Sequence, residues 1–299
     1  MLSDILSYLT CPVCGGEMQR TGGSLTCRSR HSFDVSKSGY VNLLPPGKEK
    51  NAHTGDEKAM IRARADFLAC GHYSKISTTL ADLFADITPV SSFCDMGSGE
   101  GFHTVNIARR LHEKTASPVI GIGADASKYG AECASKLSRS FGLMPKDGIG
   151  ADFDGDCAVY FIPANIFSLP IKSDSLDAAV SMFAPIPWDE CARVLKPGGV
   201  LGVVSSGKDH LIEMRRIIYD DVREADFSPE CPDGFEKIAS DSISYTASLS
   251  LDKEIRDLFT MTPFYYRTNE EGRARLYSHT SLDVTVNVNY TFFRKTAQE

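Results

Sequence analysis

Several things are scarce in this 299-residue chain, and each scarcity excludes something. No apolar run approaches the ~20 residues that a helical membrane span needs, so none is expected. Met1 to Thr10 carries no basic residue and no small-residue cleavage pattern, so no secretory leader is expected there and the reading is cytoplasmic. Positive charge is short: 32 Lys and Arg stand against 39 Asp and Glu, a net charge of −7. Taken whole, that balance argues against a nucleic-acid partner, because phosphate binding wants a basic footprint. The nine cysteines are odd in number and point to metal ligation or buried thiols, not to a disulfide framework. What is present, 42% hydrophobic and 24% charged residues, is the balance of a chain that builds a core and is neither disordered nor collagen-like.

The averages hide an uneven distribution. Three of the nine cysteines fall within residues 11–27, and the other six are isolated. Residues 1–75 hold 10 Lys/Arg and 7 acids, whereas the remainder holds 22 and 32. Positions 20–75 alone carry a net +5, so a basic head precedes an acidic body.

Residues 5–44 are rich in Gly, Ser, Cys and Thr, which suits a small turn-rich unit. Pro45-Pro46-Gly47 and the polar stretch Lys48 to Lys58 read as a linker. Helical spacing follows over Glu57–Phe67, with Ala59, Met60, Ala63 and Phe67 on one face, and again over Tyr73–Ala85. Beyond it, strand-like runs (Val90–Asp95, Pro118–Ala124, Ala158–Pro163, Leu176–Phe183, Val200–Ser205) alternate with helical ones (Thr104–Glu113, Ala131–Phe141, Glu190–Leu195), with Pro197-Gly198-Gly199 as a turn. That alternation predicts an α/β fold with a parallel sheet. The strict alternation of Ser281–Phe292 predicts one half-buried antiparallel strand. The expected division is 1–45, a small β-rich unit; 46–75, linker and basic helix; and 76–299, the α/β body. Asp152 to Asp156 is acidic but lacks the glycine and glutamate of a calcium loop, and reads as solvated loop.

Cys11, Cys14, Cys27 and His31 are spaced C-x2-C-x12-C-x3-H. Two thiolates two residues apart on a tight turn grip one ion, and the second pair closes a tetrahedron, which suits Zn²⁺. Four protein ligands leave no open position, so the expected role is structural. A unit of this size builds little core unaided, so metal would supply folding energy directly.

Phe93 to Gly101 closes a strand and opens a helix with glycines at 97, 99 and 101. A dinucleotide loop or plain turns would look similar. The spacing is G-x-G-x-G, which leaves less room to seat a pyrophosphate, and Asp95 ends the strand where it would repel phosphate and tolerate a cationic cofactor. Asp125 ends the next strand, placed to hold ribose hydroxyls, and Asn165 follows the third, where an amide can face adenine. Together these favour S-adenosylmethionine and a Rossmann-like class I methyltransferase.

The combination resembles one family, the bacterial 23S ribosomal RNA guanine-N1 methyltransferases (RlmA-like), over nearly the whole chain. The motifs are the Cys11-Pro12-Val13-Cys14 cluster, Gly39-Tyr40-Val41-Asn42-Leu43-Leu44, Arg62-Ala63-Arg64 with Phe67-Leu68, Gly71-His72-Tyr73, the Asp95–Gly101 loop, Phe183-Ala184-Pro185, His210-Leu211 and Met261-Thr262-Pro263-Phe264. The resemblance implies an N-terminal zinc domain that meets ribosomal RNA, methyl transfer from S-adenosylmethionine to guanine N1 in a 23S hairpin, and a homodimer. It also implies cofactor contacts for Tyr73, Gly99, Glu100 and His210, and matches Asp125 to the ribose-binding acid. Residues 144–160 look longer and more acidic than the corresponding connection in the family.

Guanine N1 carries a proton, so a base must stand within hydrogen-bond reach of it. His72, Tyr73, Asp189 and Glu190 are candidates, and water is another; the sequence does not choose. Phe183 or Trp188 could stack on an extruded guanine, or belong to the core. Arg20, Arg28, Arg30, Lys37, Lys48, Lys50, Arg62 and Arg64 are the candidate RNA contacts, with Arg62 and Arg64 foremost. A small-molecule methyltransferase with a zinc appendage stays open as the alternative, as does a ribosome-binding module with an inactive cofactor site.

Overall fold

The computed structural model describes residues 4–45, 58–222 and 228–296. The expected linker, with Lys48 and Lys50, lies for the most part outside them. The first unit opens with a 3₁₀ turn, Ile5–Ser7, and builds a three-stranded antiparallel sheet from β1 (Met18–Thr21), β2 (Ser24–Cys27) and β3 (Ser32–Asp34).

The second unit begins with α1 (Lys58–Ala69) and α2 (Ser74–Ile87), then alternates β4 (Ser92–Met96), α3 (Phe102–Thr115), β5 (Val119–Asp125), α4 (Lys128–Ser140), β6 (Cys157–Pro163), β7 (Leu176–Met182), α5 (Trp188–Val194) and β8 (Leu195–Ser206). α6 (Ile212–Ile218), β9 (Phe235–Leu249), α7 (Asp252–Thr260), α8 (Phe264–Arg267), α9 (Glu270–Tyr277) and β10 (Leu282–Lys295) complete it. The seven strands lie in the order β6-β5-β4-β7-β8-β10-β9. β4 through β8 pair in parallel, whereas β10 runs antiparallel to both neighbours. The chain leaves β4 toward β5 on one side and returns to β7 on the other, so a crevice opens at the carboxyl ends of those strands.

The expected strands and helices appear within a few residues of their places. Pro197-Gly198-Gly199 differs: it is a bulge inside β8, where the register with β7 slips, and not a turn ahead of a strand. The 15-residue β9 was not foreseen, because its polar, mostly exposed run shows little alternation. Among the described residues no helix is long and apolar enough to cross a membrane.

The two faces of the large sheet are covered differently. α2 lays Ile76, Leu80, Ala81 and Phe84 on one face at helical spacing, and α1, α3, α4, α6, α7 and α9 join it there. On the opposite face the cover over β4, β5 and β6 is the small N-terminal unit: Ile5, Leu9, Leu25, Val41 and Leu43 form one core with Ile120, Ile122, Tyr160 and Ile162. These five apolar side chains are at most 1% exposed, each worth roughly 1.5–3 kcal/mol of burial. Backbone bonds stitch the join: Leu43 N–H donates to the Pro163 carbonyl at 2.9 Å and Thr10 N–H to that of Pro170 at 2.9 Å.

The long connection after α4 is the remaining part of that seat. Met144 and Ile149 enter the shared core, and Ile149 N–H donates to the Gly39 carbonyl at 3.0 Å. Arg20 donates to the Asp147 carbonyl at 2.9 Å and the Ile149 carbonyl at 2.7 Å, so its guanidinium straps the two units together. Gly39 and Gly148 meet back to back: a Cβ on Gly148 would stand 2.6 Å from the Gly39 Cα. Asp152 to Asp156 is irregular loop, as read from the sequence.

Candidate metal centre and candidate active site

Two turns bring the four metal-ligand candidates together. Gly15 N–H donates to the Cys11 carbonyl and Cys11 N–H to that of Gly16, both at 2.8 Å, folding the first pair into a knuckle; Arg30 N–H closes the second on the Cys27 carbonyl at 2.9 Å. The ligand atoms of Cys11, Cys14, Cys27 and His31 all lie within 4.8 Å of one another. Measured edges are 3.7 Å for Cys14 Sγ to Cys27 Sγ, 3.5 Å for Cys11 Sγ to His31 Nδ1 and 3.3 Å for Cys27 Sγ to His31 Nδ1. A tetrahedron with Zn–S bonds of about 2.3 Å has edges of about 3.8 Å, so the four atoms fit Zn²⁺. The Gly16 N–H, with help from Ser29 and His31, pulls the Cys14 thiol down to about 6, which favours the thiolate a metal needs.

A cavity of about 1860 Å³ fills the crevice at the sheet's carboxyl edge. Small-molecule sites occupy ~300–1,000 Å³, so there is room for a nucleoside cofactor and a second ligand. Seven of the nine residues singled out for a cofactor line it: Tyr73, Gly97, Gly99, Glu100, Asp125, Asn165 and His210. Asp95 and Gly101 stand behind the wall. Asp95 is 2% exposed, its Oδ2 accepts from Thr104 Oγ1 at 2.5 Å, and burial raises it to about 6. Gly101, at φ +85°, lets α3 start hard against Ala134 and Phe161, where any Cβ would stand 2.6 Å from side-chain carbons. Both shape the loop without reaching the cavity.

Asp125 accepts Gly99 N–H on Oδ2 at 3.0 Å and Ser127 N–H on Oδ1 at 2.8 Å. The carboxylate thus ties the glycine loop to the start of α4 at the carboxyl end of β5. Asn165 Oδ1 accepts Phe167 N–H at 3.1 Å, which leaves the amide NH₂ as a donor for a ring nitrogen.

Tyr73 and His210 form a chain of fixed polarity. His210 Nδ1 accepts Asn287 N–H at 3.2 Å, so the ring proton sits on Nε2, 3.3 Å from Tyr73 Oη. Burial lowers His210 to about 4 and raises Tyr73 far above its usual value, so both stay neutral and Tyr73 is left to donate. Phe183 stacks on His210 at 6.0 Å and 27°, with a left-handed backbone at φ +52° and a side chain 47% exposed. For a bulky residue that backbone costs about 1–2 kcal/mol. Ser181 Oγ, donating to the Ala184 carbonyl at 3.1 Å, helps hold the turn that presents the ring.

Other sequence candidates fall elsewhere. His72 pairs with Glu254 at 3.2 Å, Glu190 is held by Arg193 and by Leu169 N–H, and Asp189 is exposed; none of the three lines the cavity. Trp188 packs edge-on to Phe235 and Phe293 at 5.4 and 5.1 Å, half-buried against the core and away from the cavity. Arg20 is engaged in the strap described above. Arg64 turns inward from α1 to line the cavity, its Nη1 3.9 Å from Glu100 Oε2. Arg28, Arg30, Lys37 and Arg62 remain exposed. The residues that sequence reasoning missed are His103, Asp221 and Tyr266, all on the wall; none sits in a motif that marks it out.

The sheet order and the glycine loop at its switch point define a class I methyltransferase fold carrying a zinc ribbon, and comparison with known proteins agrees. Residues 9–52 match the family described as "RlmA, N-terminal" and residues 94–203 the family described as "Methyltransferase domain". The chain is 26% identical to a Streptomyces fradiae 23S rRNA (guanine(748)-N(1))-methyltransferase, over 98% of this chain and 99% of that one. It is 28% identical to proteins of Micromonospora griseorubida (90% of each chain) and Bacillus subtilis (95% of each), both provisionally named 23S rRNA (guanine-N1) methyltransferases. The chain is thus similar to this RlmA-like family over nearly its whole length; its methyltransferase domain implies S-adenosylmethionine as methyl donor, and the ribbon with its Cys/His cluster supports a structural zinc.

Proposed function

We propose that the protein methylates N1 of a guanine in a hairpin of 23S ribosomal RNA. The observation that carries this reading is the pairing of an RlmA-type ribbon with a methyltransferase cavity large enough for cofactor and base, in a chain matched almost end to end by relatives named for that activity. S-adenosylmethionine, when bound, supplies a sulfonium methyl group. N1 attacks that methyl, the carbon–sulfur bond breaks, the N1 proton departs, and the products are 1-methylguanosine and S-adenosylhomocysteine.

The cofactor contacts in this reading are Tyr73, Gly97, Gly99, Glu100, Asp125, Asn165 and His210, with Asp95 and Gly101 supporting the loop from behind. Phe183 offers an exposed ring at the cavity for an extruded base, as chemistry on a base requires. With Asp125 and Glu100 assigned to the cofactor, Asp221 is the remaining carboxylate among the described wall residues, which supports it as the acceptor of the N1 proton in this reading. Tyr73 is excluded as that base by its polarity and serves as a hydrogen-bond donor. Cys11, Cys14, Cys27 and His31 hold the zinc, and Arg28, Arg30, Lys37 and Arg62 offer exposed cations to RNA phosphates. The division at 1–45, 46–75 and 76–299 is retained, with α1 counted among the cavity's walls. A homodimer is carried over from the family resemblance, and a cytoplasmic location from the sequence reading.

Tritiated-methyl transfer onto unmodified 23S RNA, with the labelled nucleoside identified, tests the reading. Label in 1-methylguanosine is expected. Label on a small metabolite would favour the small-molecule alternative, and no transfer to RNA would end the present reading.

A further inference from the structure

We propose that Arg64 and Glu100 form a clamp for the α-amino-acid end of the cofactor, Arg64 taking its carboxylate and Glu100 its ammonium. The proposal rests on the cofactor reading of the cavity and adds a cation that the sequence assigned to RNA.

The geometry comes first. Arg64 reaches in from α1 and Glu100 from the glycine loop, and both line the cavity. Their nearest charged atoms stand 3.9 Å apart, too far for a direct hydrogen bond. Glu100 Oε2 is buried and accepts no hydrogen bond. An unpartnered carboxylate oxygen in such a place costs free energy unless a donor arrives with the ligand. His103 also lines the wall, half-buried, with a buried and unpartnered Nδ1.

Position along the ligand agrees. Asn165 and Asp125 mark the adenine and ribose ends, so the rest of the molecule extends over the Gly97–Glu100 loop. There an amino acid presents a carboxylate and an ammonium on one carbon. Two protein groups of opposite charge, close together but without a hydrogen bond to each other, complement that pair and would suit neither a lone anion nor a lone cation as well.

The charge state gives a signature. Burial raises Glu100 to about 7, against the pull of Arg64 and with a push from Asp125. The other titratable groups around it are His103 on α3, which burial keeps neutral, and Cys133 on α4, whose thiol burial raises. An arriving ammonium favours the ionised carboxylate, so the ligand displaces a proton from Glu100.

Calorimetry on the full-length zinc-loaded protein separates the possibilities, with S-adenosylhomocysteine, which has the amino-acid end, and methylthioadenosine, which lacks it. Arg64→Ala, with Arg64→Gln as a longer replacement should the first fold poorly, is expected to weaken S-adenosylhomocysteine by about 10–100-fold. Methylthioadenosine should stay within about threefold on the same principle. Titrations at pH 6.5 in buffers of different ionisation enthalpy should show roughly three-quarters of a proton released on binding S-adenosylhomocysteine. Methylthioadenosine should release none, and Glu100→Gln should abolish the release. Equal weakening of both ligands, no weakening of either, or unchanged proton release in Glu100→Gln would overturn the clamp while leaving the cofactor reading intact. Failure of the wild-type protein to bind either nucleoside would overturn that reading, and the clamp with it.

Discussion

The two faces of the large sheet solve the same problem with different materials. One is covered by helices of the catalytic unit, which bury a continuous apolar layer and also wall the cavity. The other, over β4, β5 and β6, is covered by a zinc-held unit whose own strands are three or four residues long. A helix carries its hydrogen bonds within itself, whereas so small a sheet depends on its metal for shape. The difference teaches that the ribbon is no detached RNA-binding appendage. It is a layer of the enzyme, so the metal's influence extends to a sheet that never touches it.

The largest expected effect follows from removing the metal. Chelation, or Cys14→Ser, should unfold the ribbon and strip the cover from Ile120, Ile122, Tyr160 and Ile162. A single lowered melting transition for the whole chain is expected, with loss of cofactor binding; two independent transitions in calorimetry would break the comparison. Next comes Phe183→Ala, which acts only on the cavity side. It should lower methyl transfer to RNA by about 100-fold or more, on the scale of a lost base-stacking contact plus orientation. Stability should hold, since the ring is largely exposed and alanine keeps the Cβ that strains the backbone; a melting point lowered by many degrees would instead make Phe183 a core residue. Arg20→Ala cuts the strap between the units and should cost about 1–3 kcal/mol, read by denaturant titration. RNA affinity changed without that stability loss would return Arg20 to the RNA surface. Arg62→Ala should weaken RNA binding a few-fold and reduce its salt dependence, with cofactor affinity unchanged.

The smallest effect concerns pH. Glu100 in the folded, ligand-free protein is raised above its ordinary value of 4.5 to about 7. Its contribution to stability is therefore whole below about pH 4.5 and is lost as pH rises toward 7. Subtracting the stability curve of Glu100→Gln from that of the wild type should show this fall; a flat difference would mean that Glu100 meets solvent or a partner before the cofactor arrives.

The parts that were legible in the sequence share one property: their chemistry is local. The four metal ligands span 21 residues, and the glycine loop is contiguous with the strand and helix that it joins. The succession of β4 to β8 along the chain could be read because each strand is a buried apolar run, set off by a helix or, between β6 and β7, by turn residues. What could not be read depended on direction or on distant partners. Arg64 sits one residue from buried Ala63, and helical spacing alone does not say whether a long cation there points to solvent or into a crevice. Arg20 looked like one more surface cation, since its partners lie 127 to 129 residues away. Trp188 was ambiguous for the same reason: the rings that enclose it come from β9 and β10, at the far end of the chain.

The contact between Gly39 and Gly148 reaches beyond stability. A Cβ on Gly148 would meet the Gly39 backbone at 2.6 Å, whereas one on Gly39 would meet the Arg139 guanidinium at 2.7 Å and the Gly148 Cα at 3.1 Å. A side chain at 148 must push the ribbon's backbone off its seat, and one at 39 must displace Arg139 and crowd the connection. The two glycines are thus a lock between segments more than a hundred residues apart, which makes ribbon and connection inheritable only as a pair. A ribbon grafted onto another methyltransferase sheet would arrive without its seat. Recombination between relatives should therefore succeed when both crossover points keep residues 39 and 148 from the same parent, and fail when they do not.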